Sequence, residues 1–388
     1  MPTELSSPSS IAAVSSPDPA PPRRKPSLDA LTGLRFFAAM GVVLYHFAGP
    51  VLKSRSTILS NTAGDGFVAV DLFYLLSGFI LAYSYLTREG SLVGTRRNFY
   101  VARLARIYPA YFLAFLLATP ADVVASLHVN RLPVAIAKLT VSAISVLTLQ
   151  QAWTPWTAWN WNYPAWSVSV EAFFYLVFPF IAVRLARLRP ASALRTAGLL
   201  WVLAIIPPVV FWAITGVTAP PQTGNYLQRT IEFTPLMRLP EFMIGILLGR
   251  AFTLGQLDRL NGAWVGTSAA IAITAIFAFC PWIPHPILAN GLLAPLFVLL
   301  IAGLAQGRGA LARFLSLPFM VMLGEASYGI YILQVPIALI IRRPPPYQSL
   351  RLLCVYCVLL VICSVLSWHF FETPLRKRIR LWLSSPAH

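Results

Sequence analysis

Long apolar stretches, separated by short polar segments, run along the chain from residue 28 onwards. A helix of about 20 apolar residues is long enough to cross the hydrocarbon core of a bilayer. Eleven stretches of roughly this length are candidates: 31–52, 66–86, 107–125, 133–152, 164–183, 197–217, 231–250, 263–281, 286–305, 318–341 and 351–370. The pattern therefore predicts an all-α, polytopic membrane helical bundle.

The distribution of basic residues constrains how many of these stretches cross the bilayer. Loops rich in Lys and Arg favour the cytoplasmic side. Five basic segments separate the stretches: 88–106, 184–195, 250–259, 308–313 and 376–380. Since all five are expected in the cytoplasm, each interval between them must contain an even number of crossings. The interval from 106 to 184 contains three candidates, so either 107–125 or 133–152 is expected not to cross fully. We predict about ten crossing helices with both termini in the cytoplasm.

The two ends of the chain lack this apolar pattern. Residues 1–27 are rich in Pro and Ser and end in a basic run, which predicts a disordered cytoplasmic tail. The apolar core of a secretory signal peptide is absent from this segment. Residues 28–380 are predicted to form one membrane domain, and 381–388 a short cytoplasmic tail.

Composition agrees with a membrane protein. Of 388 residues, 57% are hydrophobic and 11% are charged, whereas soluble domains carry about 25% charged residues. This excludes a water-soluble enzyme. The net charge of +17 would suggest nucleic acid in a soluble protein, but here the basic residues lie between apolar stretches. We therefore expect the lipid bilayer as partner, no nucleic acid, and a multi-pass location in the plasma (inner) membrane.

The first apolar stretch contains two ionisable residues, Arg35 and His46. Eleven residues correspond to three helical turns, so both side chains share one face, roughly 16 Å apart along the axis. With the N-terminus in the cytoplasm, His46 lies in the outer half of the membrane. Ionisable groups at such depth are functional candidates, and a histidine there suits proton transfer. The alternative is a polar residue hydrogen-bonded to a neighbouring helix.

Two carboxylates are predicted near the depth of His46. Asp71 lies about five residues from the outer end of its stretch and could orient the imidazole of His46. The alternative is that Asp71 caps a helix or pairs with an arginine. Glu171 also falls in the outer half of its stretch, where it could bind an acceptor hydroxyl or brace an arginine.

Three further polar patterns stand out. Arg103 and Arg106, at i and i+3, project from one helix face and could bind phosphate, although ordinary cytoplasmic anchoring also explains them. Arg238 and Glu241 form a second i, i+3 pair, expected to neutralise each other. A polar stripe on the stretch 318–341 is expected to face the bundle interior and consists of Glu325, Tyr328, Tyr331 and Gln334.

The segment 153–166 contains five tryptophans mixed with Asn and Pro. It is typical of an interfacial aromatic belt, and it could instead form a rim on which a sugar ring stacks. No Walker loop, dinucleotide fingerprint or zinc-type His/Cys cluster occurs in the sequence, so we expect no metal. From the residues alone, an enzyme and a proton-coupled transporter or flippase both remain possible.

Seven short motifs, in order along the chain, resemble the acyltransferase-3 family of integral-membrane O-acyltransferases. They are Arg35-x10-His46, Val70-Asp71-Leu72-Phe73 with Leu76-Ser77-Gly78-Phe79, Arg103-x-x-Arg106-Ile107-Tyr108-Pro109, Trp166-Ser167-Val168-Ser169-Val170-Glu171, Arg238-Leu239-Pro240-Glu241-Phe242, Ser327-Tyr328-Gly329-Ile330-Tyr331 and Phe371-Glu372-Thr373-Pro374-Leu375-Arg376. The resemblance identifies residues 28–380 as a membrane acyltransferase domain.

The resemblance implies a reaction and roles for individual residues. An acyl group, usually acetyl, passes from cytoplasmic acyl-CoA to a hydroxyl of a carbohydrate, a glycosylated molecule or a macrolide-type metabolite. The resemblance implies that His46 is the catalytic histidine and that Arg35, Arg103 and Arg106 bind the acyl-CoA donor. From their positions in the sequence, Asp71 and Glu171 are expected to act with His46. The sequence departs from the family pattern at Ala172, where a second glutamate is frequent, and at Gln334, where a histidine is common.

Overall fold

The computed structural model describes residues 27–222, 224–341 and 345–384, and no β-strand occurs among them. The all-α prediction is therefore confirmed. The predicted N-terminal tail lies outside the described residues except for residue 27. In the predicted C-terminal tail, residues 381–384 continue the last helix, and residues 385–388 lie outside the described part.

Seventeen α-helices follow one another along the described chain. They are α1 (Asp29–Phe47), α2 (Gly49–Lys53), α3 (Thr57–Gly64), α4 (Ala69–Tyr85), α5 (Arg96–Val129), α6 (Leu132–Leu147), α7 (Trp166–Ala186), α8 (Pro190–Thr215), α9 (Tyr226–Phe233), α10 (Pro235–Thr253), α11 (Gly262–Phe279), α12 (His285–Leu288), α13 (Ala294–Ala305), α14 (Ala310–Leu315), α15 (Pro318–Ile341), α16 (Leu350–Leu366) and α17 (Thr373–Ser384).

Eight helical segments of the described chain are long and apolar enough to cross a bilayer. They are Asp29–Phe47, Thr57–Tyr85, Arg96–Val129, Tyr163–Ala186, Pro190–Thr215, Gly262–Phe279, Pro318–Ile341 and Leu350–Leu383. The chain is therefore a multi-pass membrane protein. Ten crossings and two cytoplasmic termini stay predictions.

The two stretches between the basic segments 88–106 and 184–195 that could fail to cross differ in length. The stretch 107–125 lies within α5, a helix of 34 residues that continues through Pro109 and Pro120. Only residues up to Leu147 of the stretch 133–152 belong to α6, which has 16 residues and is roughly 24 Å long. This is shorter than the hydrocarbon core of about 30 Å, so length makes α6 the stretch that is expected not to cross fully.

Helices α4 and α10 pack closely because small residues lie where they meet. A Cβ added to Gly78 would collide with the backbone carbonyl oxygen of Phe242, and one added to Gly245 would collide with that of Leu75. Small residues at such positions let helix backbones approach within a membrane. The close packing brings Asp71 on α4 to Arg238 on α10.

Helices α1 and α15 form a second close pair. A Cβ on Gly324 would collide with the backbone carbonyl oxygen of Thr32, so only glycine permits this approach. The pairing places the polar stripe of α15 against the face of α1 that bears Arg35 and His46. The predicted orientation of that stripe towards the bundle interior agrees with this packing.

Candidate active site

A cavity of about 140 Å³ brings the three predicted donor-binding arginines together. Arg35 reaches it from α1, and Arg103 and Arg106 reach it from α5. Glu171 of α7 also lines this space, which we call the arginine cavity. Two helices that are distant in sequence, α1 and α5, thus concentrate positive charge at one place, and α7 adds one carboxylate.

The three arginines differ in how they are partnered. Arg103 donates a hydrogen bond from Nη2 to the Tyr85 hydroxyl at 3.0 Å. Arg106 Nη1 lies 3.3 Å from Glu325 Oε2. Half-buried Arg35 makes no hydrogen bond or ion pair within the described part of the chain. A partly desolvated cation that forms no direct ion pair favours an anionic ligand, because burying such a charge is costly.

Glu171 lies among the arginines rather than beside an acceptor. Its carboxylate accepts hydrogen bonds from the Tyr175 hydroxyl at 2.5 Å and from Ser77 Oγ at 3.4 Å. Both of these partners also line the arginine cavity. Glu171 lines the arginine cavity and not the histidine cavity, and its two predicted roles, binding an acceptor hydroxyl and bracing an arginine, stay predictions.

A larger cavity, of about 530 Å³, contains His46. Its volume falls within the range of about 300–1,000 Å³ that is usual for ligand sites. Its polar lining groups are those of His46, Glu232, Arg238 and His285, and we call it the histidine cavity. Its aromatic lining consists of Tyr45, Phe67, Trp159, Tyr163, Trp166, Phe233 and Tyr331. Two tryptophans of the segment 153–166 thus line a ligand-sized space.

The hydrogen bonds of Gln334 fix the tautomer of His46. Nδ1 of His46 lies 2.8 Å from Oε1 of Gln334. Since Nε2 of Gln334 donates to the backbone carbonyl oxygen of Tyr331 at 2.8 Å, the amide must present its oxygen to the imidazole. Nδ1 of His46 is therefore the protonated nitrogen of the neutral ring. Nε2 keeps its lone pair and has no hydrogen-bond partner among the described residues, so it is free to accept a proton.

Asp71 does not orient His46, and that prediction is wrong. Its Oδ1 lies 3.1 Å from Nη1 of Arg238, and its Oδ2 accepts a hydrogen bond from the Gly291 backbone N–H at 3.0 Å. Arg238 also pairs with Glu241 at 3.3 Å. Depth in the membrane was predicted from position along the helix, but the direction of the side chain depends on the packing of α4 against α10. The alternative of an arginine partner is the one that the structure contains.

The two cavities are neighbours. Val70 and Tyr331 line both of them, and so form a partition between the arginines and His46. The Tyr331 hydroxyl lies 2.7 Å from Ser167 Oγ and 2.9 Å from the backbone carbonyl oxygen of Pro164. The partition is therefore one side-chain layer thick and is held by hydrogen bonds that a rotation of Tyr331 would break.

The contacts of Gln334, His285 and Glu232 in and around the histidine cavity do not follow from local sequence patterns. Gln334 belongs to the stripe predicted to face the interior, but its contact with His46 requires the pairing of α1 with α15. His285 lies between two prolines in a connection, and Glu232 begins an apolar stretch. Neither has a local pattern that would have predicted its position.

Similarity to known proteins identifies the family of this chain. Residues 28–369 match the family described as "Acyltransferase domain", the acyltransferase-3 domain. The chain belongs to this family. It is 31% identical to the acyltransferase MdmB of Streptomyces mycarofaciens over 80% of this chain and 79% of that protein. No solved structure matches it significantly.

Two further relatives are longer than this chain. The O-acetyltransferase OatA of Staphylococcus aureus (strain NCTC 8325 / PS 47) is 24% identical over 92% of the chain and 58% of its own length. YrhL of Bacillus subtilis (strain 168), a putative peptidoglycan O-acetyltransferase, is 26% identical over 90% of the chain and 55% of its own length. Thus the chain spans little more than half of these two relatives. The family and the relatives confirm the prediction of an O-acyltransferase enzyme, and the transporter alternative is set aside.

Proposed function

We propose that the protein transfers an acyl group, most simply acetyl, from cytoplasmic acyl-CoA to a hydroxyl of a carbohydrate or glycosylated acceptor at the plasma (inner) membrane. One observation carries the proposal: the arginine cavity and the histidine cavity meet at Val70 and Tyr331. A donor with an anionic head and a long arm suits the first cavity. An alcohol that needs a base suits the second.

The arginine cavity is suited to acyl-CoA. Guanidinium groups bind phosphate through charge-assisted, forked hydrogen bonds. Arg35 has no ion-pair partner among the described residues. Together with Arg103 and Arg106, it would bind the pyrophosphate of the donor. The cavity volume of about 140 Å³ suits a flexible, unbranched arm better than the nucleotide, which would stay outside.

The acyl transfer itself takes place at His46. The acceptor hydroxyl donates its proton to Nε2 of His46 as its oxygen attacks the thioester carbonyl carbon. A C–O bond forms, the C–S bond breaks, and the CoA thiolate leaves and then takes the proton from the imidazolium. General-base assistance of this kind typically contributes 10²–10⁴-fold to the rate. Gln334 maintains the tautomer that this step requires.

The histidine cavity supports a sugar-bearing acceptor. Its lining is mostly aromatic, with a few polar groups that can receive hydroxyls, as is usual for specific small-molecule sites. Two relatives are named O-acetyltransferases, and one of these names includes peptidoglycan. Both a polysaccharide and a glycosylated metabolite of the macrolide type fall within this class of acceptor.

Replacing the imidazole tests the proposal. Purified protein in proteoliposomes is given acyl-CoA labelled in the acyl group, and CoA release and label transfer are followed. His46→Ala should lose transfer by at least about 10²-fold while remaining folded and inserted. His128→Ala is the matched control, because His128 is exposed at the end of α5 and lines neither described cavity. Full activity of His46→Ala would overturn the proposal.

A further inference from the structure

A second imidazole faces the histidine cavity, and a carboxylate accompanies it. Nε2 of His285 lies 3.4 Å from Oε2 of Glu232, and both residues line the cavity that contains His46. The side chains are largely buried, with 9% of His285 and 3% of Glu232 exposed. Neither residue belongs to the motifs that identify the family or to the acyl-transfer step proposed above.

Glu232 is held firmly in this position. Its Oε1 accepts a hydrogen bond from Nε2 of Gln228 at 2.9 Å. Its backbone carbonyl oxygen accepts one from Nε of Arg238 at 2.7 Å. Arg238 is in turn paired with Asp71 and Glu241. Gln228 therefore holds the carboxylate beside His285, and the paired Arg238 holds the backbone of Glu232 in place.

The imidazole of His285 is positioned just as closely. Its backbone N–H donates to the carbonyl oxygen of Thr218 at 3.0 Å, and its ring centroid lies 4.0 Å from that of Phe67. Phe67 contacts Tyr45, and Tyr45 contacts His46, with ring centroids 5.2 Å and 5.1 Å apart. A continuous row of rings thus joins the two imidazoles along one side of the cavity.

The nitrogen of this imidazole that faces away from Glu232 indicates a ligand. Because Nε2 faces the carboxylate of Glu232, it is the nitrogen that carries the proton in the neutral ring. Nδ1 is then an acceptor, and it has no hydrogen-bond partner in the described part of the chain. A pair with a purely structural role would be enclosed by protein, whereas this pair borders a cavity of about 530 Å³. A group that donates a hydrogen bond, such as a hydroxyl, would satisfy Nδ1.

We propose that His285, held by Glu232, binds a second hydroxyl of the acceptor and so positions the reacting hydroxyl at His46. This rests on the proposed function and makes it more specific. The acceptor is a polyol with at least two free hydroxyls, one reacting at His46 and the other anchored at His285. Simple alcohols would lack the anchor and would be poor acceptors.

Kinetics with His285 variants test this role. The probes are the methyl glycosides of glucose, N-acetylglucosamine and N-acetylmuramic acid, each with its monodeoxy analogues, and acetyl-CoA is the donor. His285→Ala should raise the acceptor KM about 10- to 100-fold, because a buried hydrogen bond is lost. The KM for acetyl-CoA should change less than about twofold, since the donor binds in the other cavity, and kcat should fall by less than the acceptor KM rises, since His46 is intact. Monodeoxy analogues identify the anchored hydroxyl: wild type should discriminate against one of them, and His285→Ala should not.

A conservative variant separates binding from a structural role. His285→Asn places a side-chain oxygen near the position of Nδ1 and should recover much of the acceptor affinity. Glu232→Gln keeps the size of the side chain but removes the carboxylate, and should raise the acceptor KM in the same direction. This variant also keeps the proposal testable if His285→Ala does not fold.

The outcomes distinguish this proposal from the proposed function. An unchanged acceptor KM in His285→Ala, or an equal loss in His285→Ala and His285→Asn, would overturn the role of His285 and leave acyl transfer intact. Absence of transfer to every glycoside by the wild type would count against the carbohydrate acceptor, and so against both.

Discussion

The side-chain oxygen of Gln334 lies 2.8 Å from Nδ1 of His46, although 288 positions separate the two residues in the chain. Gln334 is also anchored through its backbone, since its carbonyl oxygen accepts a hydrogen bond from the Tyr356 hydroxyl at 2.6 Å. Helices α1, α15 and α16 therefore jointly determine the orientation of one imidazole. An amide, rather than a carboxylate, orients this base, so the site adds no negative charge beside His46.

Removing this amide should reduce turnover. Gln334→Leu keeps the approximate size of the side chain but cannot accept a hydrogen bond from the Nδ1–H group of His46, so the imidazole would lose its fixed tautomer and orientation. We expect kcat to fall about 10- to 100-fold, as is typical when a partner orienting a functional histidine is removed, with the KM for acyl-CoA unchanged. Steady-state kinetics with acetyl-CoA measure both quantities.

A variant that keeps the acceptor oxygen provides the control. Gln334→Glu retains an oxygen facing Nδ1 and should lose less activity than Gln334→Leu. Equal kcat values for Gln334→Leu and the wild type would show that the contact with His46 is not needed for acyl transfer.

Arg35 is the arginine whose loss should affect donor binding most. Arg106 is paired with Glu325, whereas Arg35 has no ion-pair partner in the described chain and is available for a phosphate. A hydrogen bond to a charged group contributes about 1.5–3 kcal/mol, so Arg35→Gln should raise the KM for acyl-CoA about 10- to 100-fold.

The control for Arg35→Gln is a matched change of charge outside the cavity. Arg187→Gln removes one positive charge from an exposed position after α7 and should leave the KM for acyl-CoA unchanged. Similar KM values for both variants would contradict donor binding by Arg35.

The sequence predicts which residues belong to the site better than it predicts which of them contact one another. The shared face of Arg35 and His46 follows from helical periodicity within one element, and the structure contains both on α1. The partners of Asp71 and His46 depend on which helices pack together, and periodicity does not specify this. Position along the helix predicts His46 as the partner of Asp71, whereas its carboxylate contacts Arg238 and the Gly291 backbone. His285 could not be recognised, since its position depends on a short connection between helices.

The partition between the cavities should control passage of the acyl group. Val70 is buried and lines both cavities, so a larger side chain there would obstruct the route of the donor arm. Val70→Phe should reduce acyl transfer at least about tenfold, while binding of acyl-CoA to the arginines stays intact. Overpacking costs about 1–3 kcal/mol, so thermal unfolding must show that the variant remains folded.

A smaller side chain at position 70 provides the control for Val70→Phe. Val70→Ala widens the partition and should keep transfer near the wild-type rate. Transfer of the labelled acyl group and equilibrium binding of acyl-CoA are measured on the same preparations. A variant that binds acyl-CoA normally but transfers slowly is impaired in passage of the acyl group between the cavities. Undiminished transfer by folded Val70→Phe would mean that the acyl group reaches His46 by another route.

Close packing of α4 against α10 should make Gly245 sensitive to the smallest substitution. A Cβ at this position would collide with the backbone carbonyl oxygen of Leu75, so Gly245→Ala should lower stability by about 1–3 kcal/mol. Gly198 lies on an exposed face of α8, where an added Cβ meets nothing within 4 Å. Gly198→Ala should instead be neutral or stabilise by up to about 1 kcal/mol. Unfolding curves in the same detergent compare the two, and an equal effect would argue against close approach of α4 and α10.

Asp71 should prove to be a structural residue. Its carboxylate is 1% exposed and bonded to Arg238 and to the Gly291 backbone, which together join α4, α10 and the segment before α13. Removing one member of a buried ion pair costs about 3–5 kcal/mol, because the remaining charge loses its partner. Asp71→Ala should therefore lower the unfolding temperature and the yield of folded protein.

Turnover per folded molecule distinguishes this structural role from a catalytic one. If Asp71 oriented the base, its loss would reduce kcat about as much as the loss of Gln334. Since the carboxylate contacts Arg238 and Gly291 instead of His46, the folded fraction of Asp71→Ala should keep kcat within about tenfold of the wild type. The kcat per folded molecule is obtained by dividing the rate by the amount of monodisperse protein, as determined by active-site titration. A kcat as low as that of His46→Ala, at unchanged unfolding temperature, would restore Asp71 to the catalytic group.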